Sequence, residues 1–195
     1  MSLAHTSLSH DDERNALLRL LNEYTPSVDE DPTVRDRILA LVRDIPDCAD
    51  RTTLPAHLTA SAWVIDTVQQ RVLLIHHKKL AKWIQPGGHA DGSLDLLSVA
   101  VREVLEETSL VVSRSNSQGV FDLDIHEIPA FGDTPAHHHF DVRFMFSVTQ
   151  GCSGEHGSLQ ENREVFAAQW IPFAEVAILS KEESVLRMVK KSYAA

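Results

Sequence analysis

Cysteine is nearly missing from this chain. Two residues, Cys48 and Cys152, occur among 195, and they form no Cys-x-x-Cys pair. That excludes a disulfide scaffold and a cysteine-based zinc ribbon, and it fits buried thiols in a reducing compartment. Long apolar runs are missing too. No stretch reaches the roughly 18 residues a membrane helix requires, and the N-terminus is polar rather than signal-like. A cytoplasmic location is therefore expected, with no membrane partner. Positive charge is scarce: 18 Lys and Arg stand against 28 Asp and Glu, for a net charge of -10. Such a surface does not favour nucleic acid. An acidic protein that acts on an anionic substrate needs local positive charge, most simply from metal ions. Internal repeats and low-complexity segments are absent.

What remains is ordinary globular composition, enough for one domain with an accessory segment. Leu17, Leu18, Leu21 and Tyr24 mark an amphipathic helix beginning at Asp11 or Asp12 and stopped by Pro26. Asp31-Pro32 opens a second helix, with Val34, Ile38, Leu41, Val42 and Ile45 on its apolar side. Residues 1–55 are read as a helical hairpin packed on a main domain of residues 56–195. In that domain, strands are expected over Leu58–Asp66, Arg71–His76, Val120–Ile128, His137–Thr149 and Val165–Ile171. The fourth alternates cleanly, with Phe140, Val142, Phe144 and Phe146 opposite His139, Asp141, Arg143 and Met145. A final helix capped by Ser180 closes the chain.

The most informative stretch runs from Gly87-Gly88-His89 to Leu110. It reads as a glycine turn feeding a helix from Leu94 or Asp95 to Thr108, with Leu97, Ala100, Val101, Val104 and Leu105 on its core side. Glu103 and Glu106 are three apart, and Glu103 and Glu107 four apart, so three carboxylates share one stripe. Like charges at that spacing repel by a few tenths of a kcal/mol per pair. Hydration, basic neighbours or a hard, oxygen-binding cation such as magnesium relieves them.

This stretch resembles the Nudix box, in which Gly, five residues, Glu and seven residues precede Arg-Glu-apolar-x-Glu-Glu-x-Gly-apolar. Gly88, Arg102, Glu103, Val104, Glu106, Glu107 and Leu110 match at the required spacing. A weaker resemblance extends from about Leu58 to Ile178. Two positions depart: Leu94 replaces the first Glu, and Ser109 replaces the Gly. The family Glu looks structural, as a partner of the box Arg, and Asp95 or Asp91 is a substitute partner for Arg102. On that view Leu94→Glu holds or raises stability.

The resemblance implies an α/β fold, a Nudix-like α/β/α sandwich with a mixed sheet, plus the N-terminal hairpin. It also implies a metal-dependent hydrolase that cuts a diphosphate linkage in a small molecule, usually a nucleoside diphosphate derivative. Mg2+ or Mn2+ would be held by Gly87, through its carbonyl, and by Glu103, Glu106 and Glu107, with Glu164 as a later-loop ligand ahead of Glu161. Glu103 and Glu106 are the catalytic candidates, and Arg102 orients the glutamates. A homodimer is an open alternative to a monomer. The alternative function is a weakly catalytic nucleotide-binding regulatory module, supported by Leu94 and Ser109. Diphosphate isomerisation on a related fold would want a cysteine near the cleft, where neither Cys48 nor Cys152 is expected.

Substrate contacts are expected from His89, directly after the glycines, and from His139 and Arg143 on the polar strand face. His137, His138 and His139 invite a zinc reading. Only His137 and His139 share a face, however, and no cysteine joins them, so cleft lining is preferred. Lys78, Lys79 and Lys82 read as a solvated basic loop, and Trp63 and Trp170 as packing residues.

Overall fold

The computed structural model describes residues 9–114, 117–148 and 165–193. Glu161, Glu164 and Cys152 lie outside them. Helices α1 (His10–Glu23) and α2 (Thr33–Asp44) come first. Strands β1 (Ala56–Asp66), β2 (Arg71–His77), β3 (Lys82–Ile84) and β4 (Gly87–His89) follow. Helix α3 (Leu96–Thr108) leads to β5 (Ser117–Ile128), β6 (His137–Val148) and β7 (Val165–Pro172). A 3-10 turn at Phe173–Glu175 precedes α4 (Val176–Leu179) and α5 (Glu183–Ser192).

The strands form one mixed sheet in the order β3-β2-β1-β6-β5, with β7 on β2 and β4 on β1. β1 and β6 run parallel in continuous register from Ala56↔His138 to Asp66↔Val148. The other pairings are antiparallel. β1 is the organising strand, because its residues pair with β2 at one end and with β4 in the middle.

Both sheet faces are covered. Val142, Phe144 and Phe146 of β6 pack in one core with Leu17, Leu21, Ile38 and Val42 of the first two helices and Val99, Ala100 and Val104 of α3. Trp63, Ile65 and Met145 point the other way, into a second core with Val185, Met188 and Val189 of α5. The alternation read from β6 is thus real, but both of its sides are buried here.

Several local expectations need correction. The cap of α1 is Ser9, whose hydroxyl accepts from the Asp12 amide in a reciprocal capping box. Ser180 ends α4, and α5 begins after Glu182, with no side-chain cap. Part of the basic loop is strand β3, and Lys82 pairs with Glu182 at 2.8 Å. The glycine turn is strand β4. Leu105 is half exposed rather than core.

The N-terminal helices are fastened by polar contacts as well as by the shared core. Arg14 donates to the carbonyls of Val42 and Pro46 at the end of α2. Tyr24 donates to Glu30 at 2.5 Å, and Lys191 of α5 reaches Glu30 at 2.7 Å. The Leu94 amide donates to Glu13 of α1 at 3.3 Å, which places α1 directly against the entry to α3.

Candidate active site

Strand β4 and helix α3 build the site between them. Gly87 and Gly88 pair with Ser61 and Ala60 of β1, so the glycine segment lies flat on the central strand. A Cβ on Gly87 would come within 2.3 Å of Ser61 Oγ and 2.9 Å of the Ala60 carbonyl oxygen. A Cβ on Gly88 would lie 2.7 Å from the Glu103 carboxyl carbon. Both glycines are required by close approach.

Helix α3 presents its glutamates to that segment. Glu107 Oε2 accepts from the Gly87 amide at 2.9 Å, and both Glu107 and Glu103 are buried. Arg102 donates to Glu103 at 2.8 Å and to the His89 carbonyl at 3.1 Å, and lies 3.8 Å from Glu106. Its guanidinium therefore ties helix, strand and two box carboxylates together, and its own pKa is raised, chiefly by the Glu103 bond. Glu106 is the open member, with its side chain 60% exposed.

Neither proposed substitute for the missing box Glu is bonded to Arg102. Asp95 caps α3 by accepting from the Ser98 amide and pairs with Arg114. Asp91 forms a two-pronged pair with Arg51 at 2.6 Å. Leu94 is 2% exposed and belongs to the core shared with α1. The box position is apolar because the first helix covers it. Ser109 terminates α3 in the left-handed region at φ 56°, the conformation the family glycine supplies without strain.

Beneath the glycines lies a buried polar floor. Asp141 accepts from Thr59 at 2.9 Å, from Ser61 at 2.9 Å and from Arg143 at 2.7 Å. Arg143 is 3% exposed, and its other donors go to Asp122 at 3.2 Å and Asp124 at 3.1 Å. Its guanidinium is committed to carboxylates, so its reach toward a cleft runs through Asp141. Burial works against the charged Arg143, but the three aspartates outweigh it and raise its pKa.

His89 and His139 meet, with ring centroids 4.9 Å apart. Around them stand His57, His137 and His126, the last 5.4 Å from His139. Burial is the main cause that lowers the pKa of His89 to about 4 and of His139 to about 2, with neighbouring cationic groups adding to it. His57 was missed in the sequence. Its signal, a histidine at the start of a strand, becomes informative only with the parallel β1–β6 pairing that sets it beside His139. Trp83 stacks on His76 at 5.1 Å, and Trp63 donates to Ser192 at 2.7 Å in the second core. Cys48 is buried and accepts from Arg14, away from the glutamates.

The NUDIX domain family matches residues 55–191. This chain belongs to that family. Its class is that of the Nudix pyrophosphohydrolases. No curated protein sequence matches it significantly. Solved Nudix structures share its fold at low identity. A MutT Nudix hydrolase from Burkholderia pseudomallei is 17% identical, with 70% of this chain and 97% of that one covered and a TM-score of 0.54. The MutT protein from Methanosarcina mazei is 15% identical, covering 72% and 94%, also with a TM-score of 0.54. The E. coli dihydroneopterin triphosphate pyrophosphohydrolase is 15% identical, covering 71% and 96%, with a TM-score of 0.50. Glu103, Glu106 and Glu107 keep the Nudix box spacing, and the box departs at Leu94 and Ser109.

The donor set fits a hard divalent cation. It is made of carboxylate oxygens next to backbone, and the missing side chain of Gly88 lets the Glu103 carboxylate lie directly against the glycine strand. No helix among the described residues is long and apolar enough to cross a membrane.

Proposed function

We propose that this Nudix protein is a divalent-metal-dependent hydrolase of a diphosphate linkage in a nucleoside diphosphate derivative. The observation that carries the reading is the pairing of the Gly87 amide with Glu107 while Glu103 fills the space over Gly88. Together they bring the α3 carboxylates against β4. Mg2+ or Mn2+, held by Glu103, Glu106, Glu107 and the Gly87 carbonyl with Glu164 as a further ligand, would neutralise the diphosphate and acidify a water.

The chain's own groups do the rest. Glu106, the most open carboxylate, takes the proton of the attacking water as its oxygen bonds to phosphorus. The bridging P–O bond breaks, and its electron pair leaves with the departing phosphate. Glu103 is held by Arg102, a positioning residue, against the glycine strand. His89, one residue past the glycines, contacts the substrate. His139 supports His89 edge-on, and Arg143 holds Asp141 under the strand. The buried free thiol of Cys48 suits a reducing, cytoplasmic setting.

The test is a panel of nucleoside diphosphate derivatives assayed with Mg2+ and with Mn2+, with product identification. Metal-dependent cleavage that Glu106→Gln abolishes supports the reading. Metal-independent cleavage, or full activity in Glu106→Gln, refutes it. Light scattering on the same preparation distinguishes a monomer from a homodimer.

A further inference from the structure

The sheet carries a second cluster of ligating side chains beside the carboxylates, made of nitrogen rather than oxygen. β1 and β6 pair in parallel with His57 opposite His139, and His137 lies two residues before His139 on the same face. One ring nitrogen from each of the three lies within 4.8 Å of the others. His57 and His137 rings stack at 5.0 Å, and His57 and His139 also stand 5.0 Å apart.

The outer contacts of these rings leave inward nitrogens available. His57 Nδ1 bonds the Thr53 carbonyl at 3.0 Å, and His137 Nδ1 bonds the Pro135 carbonyl at 2.9 Å. A carbonyl can only accept, so each Nδ1 carries the proton and each Nε2 presents a lone pair. Metal-ligating histidines are held by this type of outer contact. His57 is 1% exposed, yet its Nε2 has no hydrogen-bond partner, and neither has the buried Nε2 of His139. Two orphaned ring nitrogens in one buried cluster call for an explanation. Zn–N bonds near 2.05 Å at tetrahedral angles set a nitrogen separation of about 3.4 Å, which lies inside the 4.8 Å that bounds the three nitrogens.

We infer that His57, His137 and His139 form a binding site for one borderline divalent transition metal ion, of the Zn2+ type, separate from the oxygen-ligand site on α3. Three imidazoles leave one coordination position of a tetrahedral ion open. His89, with its ring 5.3 Å from His57 and 4.9 Å from His139, borders the cluster. The two sites differ in donor chemistry: imidazole selects zinc, cobalt or copper, whereas carboxylate and carbonyl oxygens select magnesium or manganese.

The test uses untagged full-length protein stripped of metal and titrated with Co2+ alone. Visible absorption distinguishes a four-coordinate nitrogen site, with intense bands, from an octahedral oxygen site, with weak ones. The expected result is one equivalent of intensely absorbing Co2+, displaced by one equivalent of Zn2+. The intense band disappears in His137→Asn and persists in Glu106→Gln. Zn2+ should also raise the melting temperature of wild type and not that of His137→Asn. Weak octahedral bands with no intense band in the wild type overturn the assignment without recourse to any variant. An intense band that survives in His137→Asn, or that Glu106→Gln removes, overturns it as well.

Discussion

Glu107 and Gly87 are joined by a 2.9 Å hydrogen bond in which the carboxylate accepts from the backbone amide. The bond uses an oxygen, whereas the proposed chemistry uses the charge, so the two can be separated. In Glu107→Gln the side-chain carbonyl still accepts from Gly87, and the fold is retained. In Glu107→Ala the part-buried amide loses its partner, which costs about 1–2 kcal/mol. We predict that both variants lose activity on the order of 10²-fold or more. Only the alanine variant should show a lowered midpoint in urea unfolding.

Gly88 and Glu103 provide a steric counterpart. Gly88→Ala places a methyl group 2.7 Å from the Glu103 carboxyl carbon. A side-chain end can move aside, so the stability loss should be about 1 kcal/mol, at the low end for overpacking. The displaced carboxylate should reduce activity far more. Gly87→Ala meets the Ala60 backbone oxygen at 2.9 Å as well as Ser61, and it should be the less stable of the two. Paired unfolding and rate measurements on both variants check the order.

The two departures from the Nudix box should respond in opposite ways. Leu94 is buried against α1, so Leu94→Glu buries a carboxylate where an apolar group packed, and stability should fall by roughly 2–4 kcal/mol. This reverses the expectation drawn from the sequence. Ser109→Gly relieves a left-handed residue at φ 56° and should stabilise by about 1 kcal/mol with turnover unchanged. Thermal denaturation of the two variants provides the comparison.

Acid should loosen the buried network under the sheet. Burial alone would raise the Asp124 carboxyl, but Arg143, His126 and Arg187 draw it well below its ordinary value. A depressed folded pKa contributes stability above the unfolded pKa of about 4, and that contribution is lost as pH falls further. Asp124→Asn should cost about 2 kcal/mol at pH 7, the range for weakening hydrogen bonds to a charged group. Its deficit relative to wild type should shrink below pH 4. Urea unfolding at pH 7 and pH 3 measures both terms.

The sequence made local features legible and concealed those created by pairing. The α3 stripe was visible because helical spacing alone gathers Glu103, Glu106 and Glu107. The β6 alternation was visible because strand spacing separates Phe144 from Arg143. What could not be read was partnership. Arg143 looked available until β5 and α5 brought Asp122, Asp124 and Arg187 around it. Leu94 looked like a defect until α1 covered it. The histidines looked like a pair on one strand until the β1–β6 register added His57 from 82 positions before His139.

The central claim is that the α3 carboxylates and the glycine strand cut a diphosphate linkage with the help of a divalent cation. The most direct measurement is hydrolysis of nucleoside diphosphate derivatives in 18O-labelled water, with and without Mg2+, for wild type and Glu106→Gln. The account predicts metal-dependent incorporation of one labelled oxygen into a single phosphate product by wild type, and none by the variant. Equal incorporation by the two proteins, or incorporation by wild type without a divalent cation, would contradict it.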